Sequence, residues 1–352
     1  MNNFEDWLAS PVARLDRVAQ EQAYQRQQQL TKPAGSLGRL EELAIQLAAM
    51  QAKPLPQINN VQITVFAADH GVMAENVSAF PQSVTTAMIR NFASGGAAIS
   101  VLANSLNARL SVINVGSVDE LETIDGVTDQ RIAAGTQNFC HTTAMSSEQL
   151  QQALSIGADH VTKCRSQGLE LFIGGDMGIG NTTSATAIAC ALLTLPAETL
   201  TGPGTGLAPP GIKHKVAVIQ KALTKHQSEL KMPWSVMQTL GGFEIAALTG
   251  AYLACAKQGV PVLVDGFISS VAALAAEQLL PGSRDWFIFS HASAEPGHQR
   301  ILTALNAEPL LDLGMRLGEA SGAAVAVPLL KLSCALHAGM ATFEQAAVAG
   351  AL

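Results

Sequence analysis

Residues 171 to 186 read Leu-Phe-Ile-Gly-Gly-Asp-Met-Gly-Ile-Gly-Asn-Thr-Thr-Ser-Ala-Thr: an apolar run stops in a cluster of glycines and restarts as a hydroxyl-rich segment. No other stretch constrains the chain as strongly, because this order specifies a strand, a tight loop and a helix start in succession. Four glycines and three hydroxyls fall within residues 174 to 184. Gly174, Gly175, Gly178 and Gly180 permit sharp turning and close approach of a ligand, and Thr182, Thr183 and Ser184 are expected to cap the helix. A helix start whose N–H groups lack partners attracts anions, phosphate above all, while a plain strand-to-helix turn also uses glycine.

Two phosphate-binding motifs fit this loop incompletely. Gly175 to Thr182 has Walker A spacing, but Asn181 stands where the lysine belongs. Gly178-Ile-Gly180 opens a dinucleotide fingerprint that Asn181, Thr182 and Thr183 do not complete. The expectation is an anion cradle that suits a monophosphate at least as well as a pyrophosphate. A Mg-dependent nucleotide kinase or NTPase and a non-catalytic nucleotide sensor are the alternatives.

The chain has 352 residues, 48% hydrophobic and 14% charged, enough for a large core in one large domain with an appendage or in two domains. A formal charge of −7 argues against nucleic-acid binding, which needs a basic face. The longest uncharged stretch, Met177 to Ala197, holds glycines, Asn181 and several hydroxyls and does not resemble a membrane span. The first residues, Met-Asn-Asn-Phe-Glu-Asp-Trp, lack the basic and apolar segments of a secretory signal, so a cytoplasmic protein is expected. Five scattered cysteines with no C-x-x-C pair point to buried thiols rather than disulfides or zinc, and Cys140 beside His141 reads as structural.

Along the chain, residues 1 to 30 predict one amphipathic helix through Leu8, Val12, Leu15 and Val18. Ser36 is the expected N-cap of a second helix striped by Leu37, Leu40, Leu43, Leu47 and Met50, with Lys32 and Arg39 either facing an anion or solvated. After Pro54 and Pro56, short β-branched runs alternate with glycine loops and helices, which predicts an α/β fold with a doubly wound, mostly parallel sheet. Asp69-His70 and Asp265 close predicted strands, at the ends where such sheets hold ligands, although Asp and His before Gly are also common turn formers. Thr201 to Leu207 is a second glycine-rich loop that precedes Lys213-His-Lys215, a candidate second wall for a phosphate. His291, Glu295 and His298 match no common zinc spacing, so turn and strand-end roles are expected for them.

One acid stands alone. Between Arg316 and Lys331, Glu319 is the single charged residue among fourteen. A carboxylate in apolar surroundings has its charged form destabilised, which moves its pKa toward the range useful for proton transfer. Glu319 is therefore the general-base candidate; an exposed acid at a helix terminus is the alternative.

In chain order, seven motifs resemble one family: Thr31-Lys-Pro-Ala-Gly-Ser-Leu-Gly-Arg-Leu40, Ala68-Asp-His-Gly-Val72, Gly175-Asp-Met-Gly-Ile-Gly-Asn-Thr-Thr183, Gly204-Thr-Gly206 with Lys215, Asp265-Gly-Phe-Ile268, Ser293-Ala-Glu-Pro-Gly-His298 and Leu317-Gly-Glu-Ala-Ser-Gly-Ala323. They span nearly the full chain and are similar to those of the nicotinate-nucleotide:dimethylbenzimidazole phosphoribosyltransferases. The resemblance implies transfer of the 5-phosphoribosyl group of nicotinate mononucleotide to 5,6-dimethylbenzimidazole, for the lower nucleotide loop of cobalamin. It also implies a homodimer with neither cofactor nor metal. A large Rossmann-like domain (55–305) and a small helical domain from both chain ends (1–54 and 306–352) complete the expected architecture.

By the same resemblance Glu319 is the base that takes the benzimidazole proton. Gly175, Asp176, Gly178, Ile179, Gly180, Asn181 and Thr182 would hold phosphate and ribose, aided by Gly204, Thr205, Gly206 and Lys215. Phe80, Gln82, Met177 and Leu317 would form the slot for the flat base. Two positions depart from the family pattern: Asp176 stands where Glu is frequent, and Phe80 where Tyr is frequent.

Overall fold

The computed structural model describes residues 4–349. Six strands, β1 (Val61–Ala68), β2 (Arg109–Gly116), β3 (Val127–Asp129), β4 (Leu171–Met177), β5 (Val262–Val264) and β6 (Phe287–Phe289), form one sheet of order β3-β2-β1-β4-β5-β6. Every pairing among them is parallel, so each connection crosses over through helices. β1 and β4 are buried along their whole length, as expected of strands covered on both faces.

Adjacent glycines of β4 show what the two faces meet. A Cβ on Gly174 would collide with Leu248 of the helix Phe243–Gln258, and one on Gly175 would collide with the Glu319-Ala320 backbone on the other side. Beside that helix, in the same layer, lies Ser147–Ser166, so closely packed that Gly157 touches the Ala247 backbone. The strand order reverses between β1 and β4, and the crevice outside their carboxyl ends is where a doubly wound sheet takes its ligand.

Both chain ends meet. Arg26, on the helix Arg17–Gln29, donates to the carbonyls of His337 (2.7 Å) and Ala338 (2.9 Å), and Ser333 Oγ donates to Leu40 O at 2.6 Å. The last helix, Ser321–Gly339, is long and apolar enough to cross a membrane by composition alone. Half of its most apolar window is buried, against the helices Arg39–Gln51 and Ala98–Leu106, and it serves as a core helix.

The ends also correct two sequence expectations. Residues 1 to 30 do not make one helix: Phe4–Ala9 and Arg17–Gln29 are separated by an extended segment through Pro11, and Asp16 caps the second by accepting from Ala19 N at 2.8 Å. Met1 to Asn3 of that expectation lie outside the described residues. Ser36 is not a cap either, since the next helix starts at Arg39 after Gly38, whose φ of +52° suits glycine. Lys32 is paired with buried Glu41 at 2.7 Å and is not free for an anion, whereas Arg39, beside Glu42 at the surface, is a solvated charge.

Candidate functional site

The glycine-rich loop leaves β4 at Met177 and enters the helix Asn181–Leu193. Gly180, at φ +98°, occupies the N-cap position, so Thr182, Thr183 and Ser184 lie inside the first turn and do not cap it. The end of β1 braces this loop. Asp69 Oδ1 accepts from Thr85 Oγ1 at 2.7 Å, and the same hydroxyl accepts from Ile179 N–H at 3.1 Å. Gly178 presses on the Ala68 carbonyl, with the buried pair His70 Nε2 and Glu244 Oε1, 2.6 Å apart, alongside.

Ile179, Asn181 and Thr183 already spend their N–H groups on Thr85, Gly178 and Gly180. The turn therefore offers an anion fewer backbone donors than its glycines suggest. Compensation comes from the helix Pro209–Lys225, where Lys215 is 1% exposed and donates to Thr182 Oγ1 at 2.8 Å. Burial pulls the Lys215 ammonium down to about 8, against the opposing pull of Glu295. A Cβ on Gly204 would stand 2.7 Å from Thr182 Oγ1 and 3.2 Å from Lys215 Nζ, so only glycine lets the second loop close over this cation and hydroxyl. Arg316 fastens that loop by donating to Gly204 O at 3.1 Å.

Glu319 reaches the same cleft from the other end of the chain. It stands just before the helix Ser321–Gly339, with φ +61°, followed by Ala320 at φ +70°. Two consecutive left-handed non-glycine residues are unusual and hold strain of order 1–3 kcal/mol each. The residue is 6% exposed and its Oε2 has no hydrogen-bond partner. Desolvation, with the Asp265 carboxylate adding, pushes its pKa up to about 7. The alternative of an exposed acid at a helix terminus does not hold.

Further carboxylates crowd around it. Asp176 is buried and held well above its ordinary pKa, first by desolvation and then by the Asp265 and Glu244 charges; Asn181 Nδ2 donates to its Oδ2 at 2.9 Å. Asp265 Oδ1 accepts from Ala323 N at 2.8 Å, tying the end of β5 to the helix that follows Glu319. Burial also raises Glu295, against the pull of Lys215 and Arg316.

These groups open on one cleft of about 310 Å³. Phe80, Met177 and Leu317 line it, with Phe80 48% and Leu317 59% exposed. Asp176, Gly178, Ile179, Asn181, Thr182, Gly204, Thr205 and Glu319 line it too, and Lys215 stands behind Thr182. The other expected residues lie off its surface: Gly175 is under the Glu319 turn, Gly180 packs on Met73, and Gly206 caps its loop at φ +105°. Gln82 is also set back, its amide donating to His70 O at 3.1 Å.

The sequence reading assigned no site role from spacing to Phe267, His291, Ser293, Glu295 or Arg316, all of which line the cleft. The available signal was position, since Phe267, His291 and Ser293 follow β5 and β6 directly. His298 has both ring nitrogens engaged, Nδ1 accepting from Ser293 N at 2.7 Å and Nε2 beside Ser270 Oγ at 2.9 Å. Among the described residues, no three His, Cys, Asp or Glu side chains are grouped to hold a metal ion.

Known proteins match the chain over nearly its full length. A family model described as a phosphoribosyltransferase matches residues 12–348. The nicotinate-nucleotide–dimethylbenzimidazole phosphoribosyltransferase of Ectopseudomonas mendocina (strain ymp) is 58% identical over 343 residues, covering 97% of this chain and 98% of the relative. That of Pseudomonas aeruginosa PAO1 is 55% identical over 342 residues, covering 97% of each. The crystal structure of the same enzyme from Thermus thermophilus superposes with a TM-score of 0.90 at 40% identity, over 96% of this chain and 100% of that one. With its glycine loops, buried lysine and lone glutamate drawn into one cleft at the sheet's switch point, the chain belongs to the nicotinate-nucleotide–dimethylbenzimidazole phosphoribosyltransferase family.

Proposed function

We infer that the chain transfers the 5-phosphoribosyl group of nicotinate mononucleotide to 5,6-dimethylbenzimidazole, yielding α-ribazole 5′-phosphate and nicotinate for cobalamin lower-ligand assembly. The observation that carries the mechanism is Glu319, a desolvated carboxylate whose pKa of about 7 keeps it basic enough to take a proton and ionised enough to start. A benzimidazole nitrogen attacks C1′, the bond from C1′ to the pyridinium nitrogen breaks, and its electron pair leaves with nicotinate. The N–H proton of the benzimidazole passes to Glu319. Attack from the face opposite the leaving group inverts C1′ from β to α.

Binding divides between the loops and the apolar mouth. Lys215 and Thr182, beneath Gly204, meet the 5′-phosphate, as a charge-assisted pair of donors does for a phosphate oxygen. Phe80, Met177 and Leu317 offer apolar surface to the flat base beside Glu319. Asp176 has a raised pKa but is one methylene shorter than Glu, so its part is to hold Asn181 and the ribose rather than to replace Glu319. No step needs a cofactor or a metal.

The same reading takes the protein as a cytoplasmic homodimer. It divides each chain into an α/β domain (55–305) and a small helical domain (1–54 with 306–352), which the contacts of Arg26 and Leu40 with the last helix support. Incubation with nicotinate mononucleotide and 5,6-dimethylbenzimidazole in EDTA, followed by chromatography, tests the function. α-Ribazole phosphate formed without Mg²⁺ is the expected result. ATP turnover that depends on Mg²⁺ would point to a kinase or NTPase, and binding without nicotinate release to a sensor.

A further inference from the structure

A parallel sheet covered on both faces ordinarily carries unbroken apolar strands. One face here departs from that rule at three neighbouring strands. Pairing of Gln62 with Arg109, Thr64 with Ser111 and Ile113 with Thr128 places Gln62, Thr64, Arg109, Ser111 and Thr128 on the same side. Across from them the helix Ser147–Ser166 presents Ile156, Asp159, His160 and Lys163, a stripe at helical spacing. Between sheet and helix lies a cavity of about 500 Å³, at the end of the strands opposite the catalytic cleft. Eight-residue β1 links the two over roughly 20 Å.

The polar groups in this cavity are ordered. Gln62 Nε2 donates to Ser111 Oγ at 3.0 Å, and Thr64 Oγ1 lies 2.9 Å from His160 Nε2. Arg109 Nη1 donates to Gln167 Oε1 at 3.1 Å, while its Nη2 is buried with no partner. A buried guanidinium nitrogen left unpaired is costly unless something occupies the space before it. Burial, with Lys163 and Arg109 adding, lowers the His160 pKa to about 4, so the imidazole is neutral. The facing charges are then Arg109 and Lys163 against Asp159, one net positive charge, which matches a monoanion better than a phosphate dianion. Ile113 and Ile156 supply an apolar surface beside them.

We propose that this cavity is a second small-molecule site, binding an organic monocarboxylate through Arg109 and Lys163 with its hydrocarbon part on Ile113 and Ile156. It stands independently of the transferase reading.

The test is a titration of the full-length protein, labelled with ¹³C at histidine Cε1, with benzoate as the probe. Benzamide and inorganic phosphate serve as comparators, and His160→Asn assigns the signal. Benzoate is expected to move the His160 resonance saturably, with benzamide inert and phosphate weaker. Arg109→Met is expected to weaken binding roughly tenfold or more, the usual scale for a lost guanidinium–carboxylate pair. Lys163→Met, at an exposed position on the cavity rim, repeats the test where Arg109→Met fails to fold, and is expected to weaken binding severalfold. Benzoate reaching the catalytic cleft instead shifts His291, which distinguishes the two cavities. A still His160 signal, equal shifts from benzamide or phosphate, or unchanged binding in folded variants would overturn the proposal.

Discussion

A Cβ on Gly175 would stand 2.7 Å from the carbonyl carbon of Glu319 and 2.7 Å from the nitrogen of Ala320. The strand that feeds the phosphate loop and the turn that carries the acid therefore touch backbone to backbone, across 144 residues of sequence (319 minus 175). Real Cβ atoms do not approach backbone so closely, and one of the two must move when this glycine is replaced.

Gly175→Ala is accordingly expected to displace Glu319. Turnover should fall about 10- to 100-fold while stability drops by only about 1–3 kcal/mol, the usual cost of overpacking. Steady-state kinetics beside thermal melts check this, with Gly339→Ala, where an added methyl meets nothing, as the control. Normal turnover in Gly175→Ala would mean that the contact does not position the acid.

Glu319→Gln keeps the shape of the side chain and removes its basicity. It is expected to lower kcat roughly 10²- to 10⁴-fold, leaving the Michaelis constant for the nucleotide within a few-fold of wild type. Equal losses in both constants would assign Glu319 to binding instead.

The two shifted groups predict a bell-shaped pH profile for kcat/KM. Glu319 must be ionised to accept a proton, so activity rises through about 7. Lys215 must be charged to meet phosphate, so activity falls above about 8. Lys215→Arg should move the alkaline limb upward and leave the acid limb in place, because a guanidinium stays protonated. An acid limb still present in the residual activity of Glu319→Gln would assign it to another group.

Lys215→Ala is expected to raise the Michaelis constant for nicotinate mononucleotide by about 10- to 100-fold, as loss of a charge-assisted contact does. The constant for the benzimidazole should change little, since that base carries no phosphate. An unchanged nucleotide constant would remove Lys215 from the phosphate site.

Stability should respond to pH in the opposite sense to activity. The folded-state pKa of Glu319 lies above its ordinary value, so its favourable contribution is complete below about 4.5 and is lost as pH rises through about 7. Glu319→Gln is therefore expected to match wild type at pH 5 and exceed it at pH 8 by about 2 kcal/mol, allowing for screening across the open cleft. Melting curves at the two pH values decide this, and a gain of equal size at both would refute the charge as its source.

Much of this fold was legible because parallel strands announce themselves by apolar runs that end in glycine or acid, as at Ala68-Asp69 and Val264-Asp265. Glu319 was legible for the converse reason, an acid without charged neighbours. The caps were not: hydroxyls at 182 to 184 suggested a side-chain cap, whereas Gly180 took that position through a backbone angle that composition does not encode. The burial of Lys32 was hidden for a related reason, since its partner Glu41 becomes a neighbour only once the turn and helix form. Arg316 escaped notice because its bond to Gly204 joins segments 112 residues apart, a relation set by packing rather than local pattern.

The consecutive left-handed angles of Glu319 and Ala320 carry an evolutionary consequence. Glycine at either position would relax the backbone, and at 319 it would also delete a buried charge, so selection for heat resistance alone rewards losing the acid. Libraries of this enzyme screened by melting temperature should accumulate inactive members at the codon for residue 319 first. Only a screen that demands product will keep the glutamate where the chain least comfortably holds it.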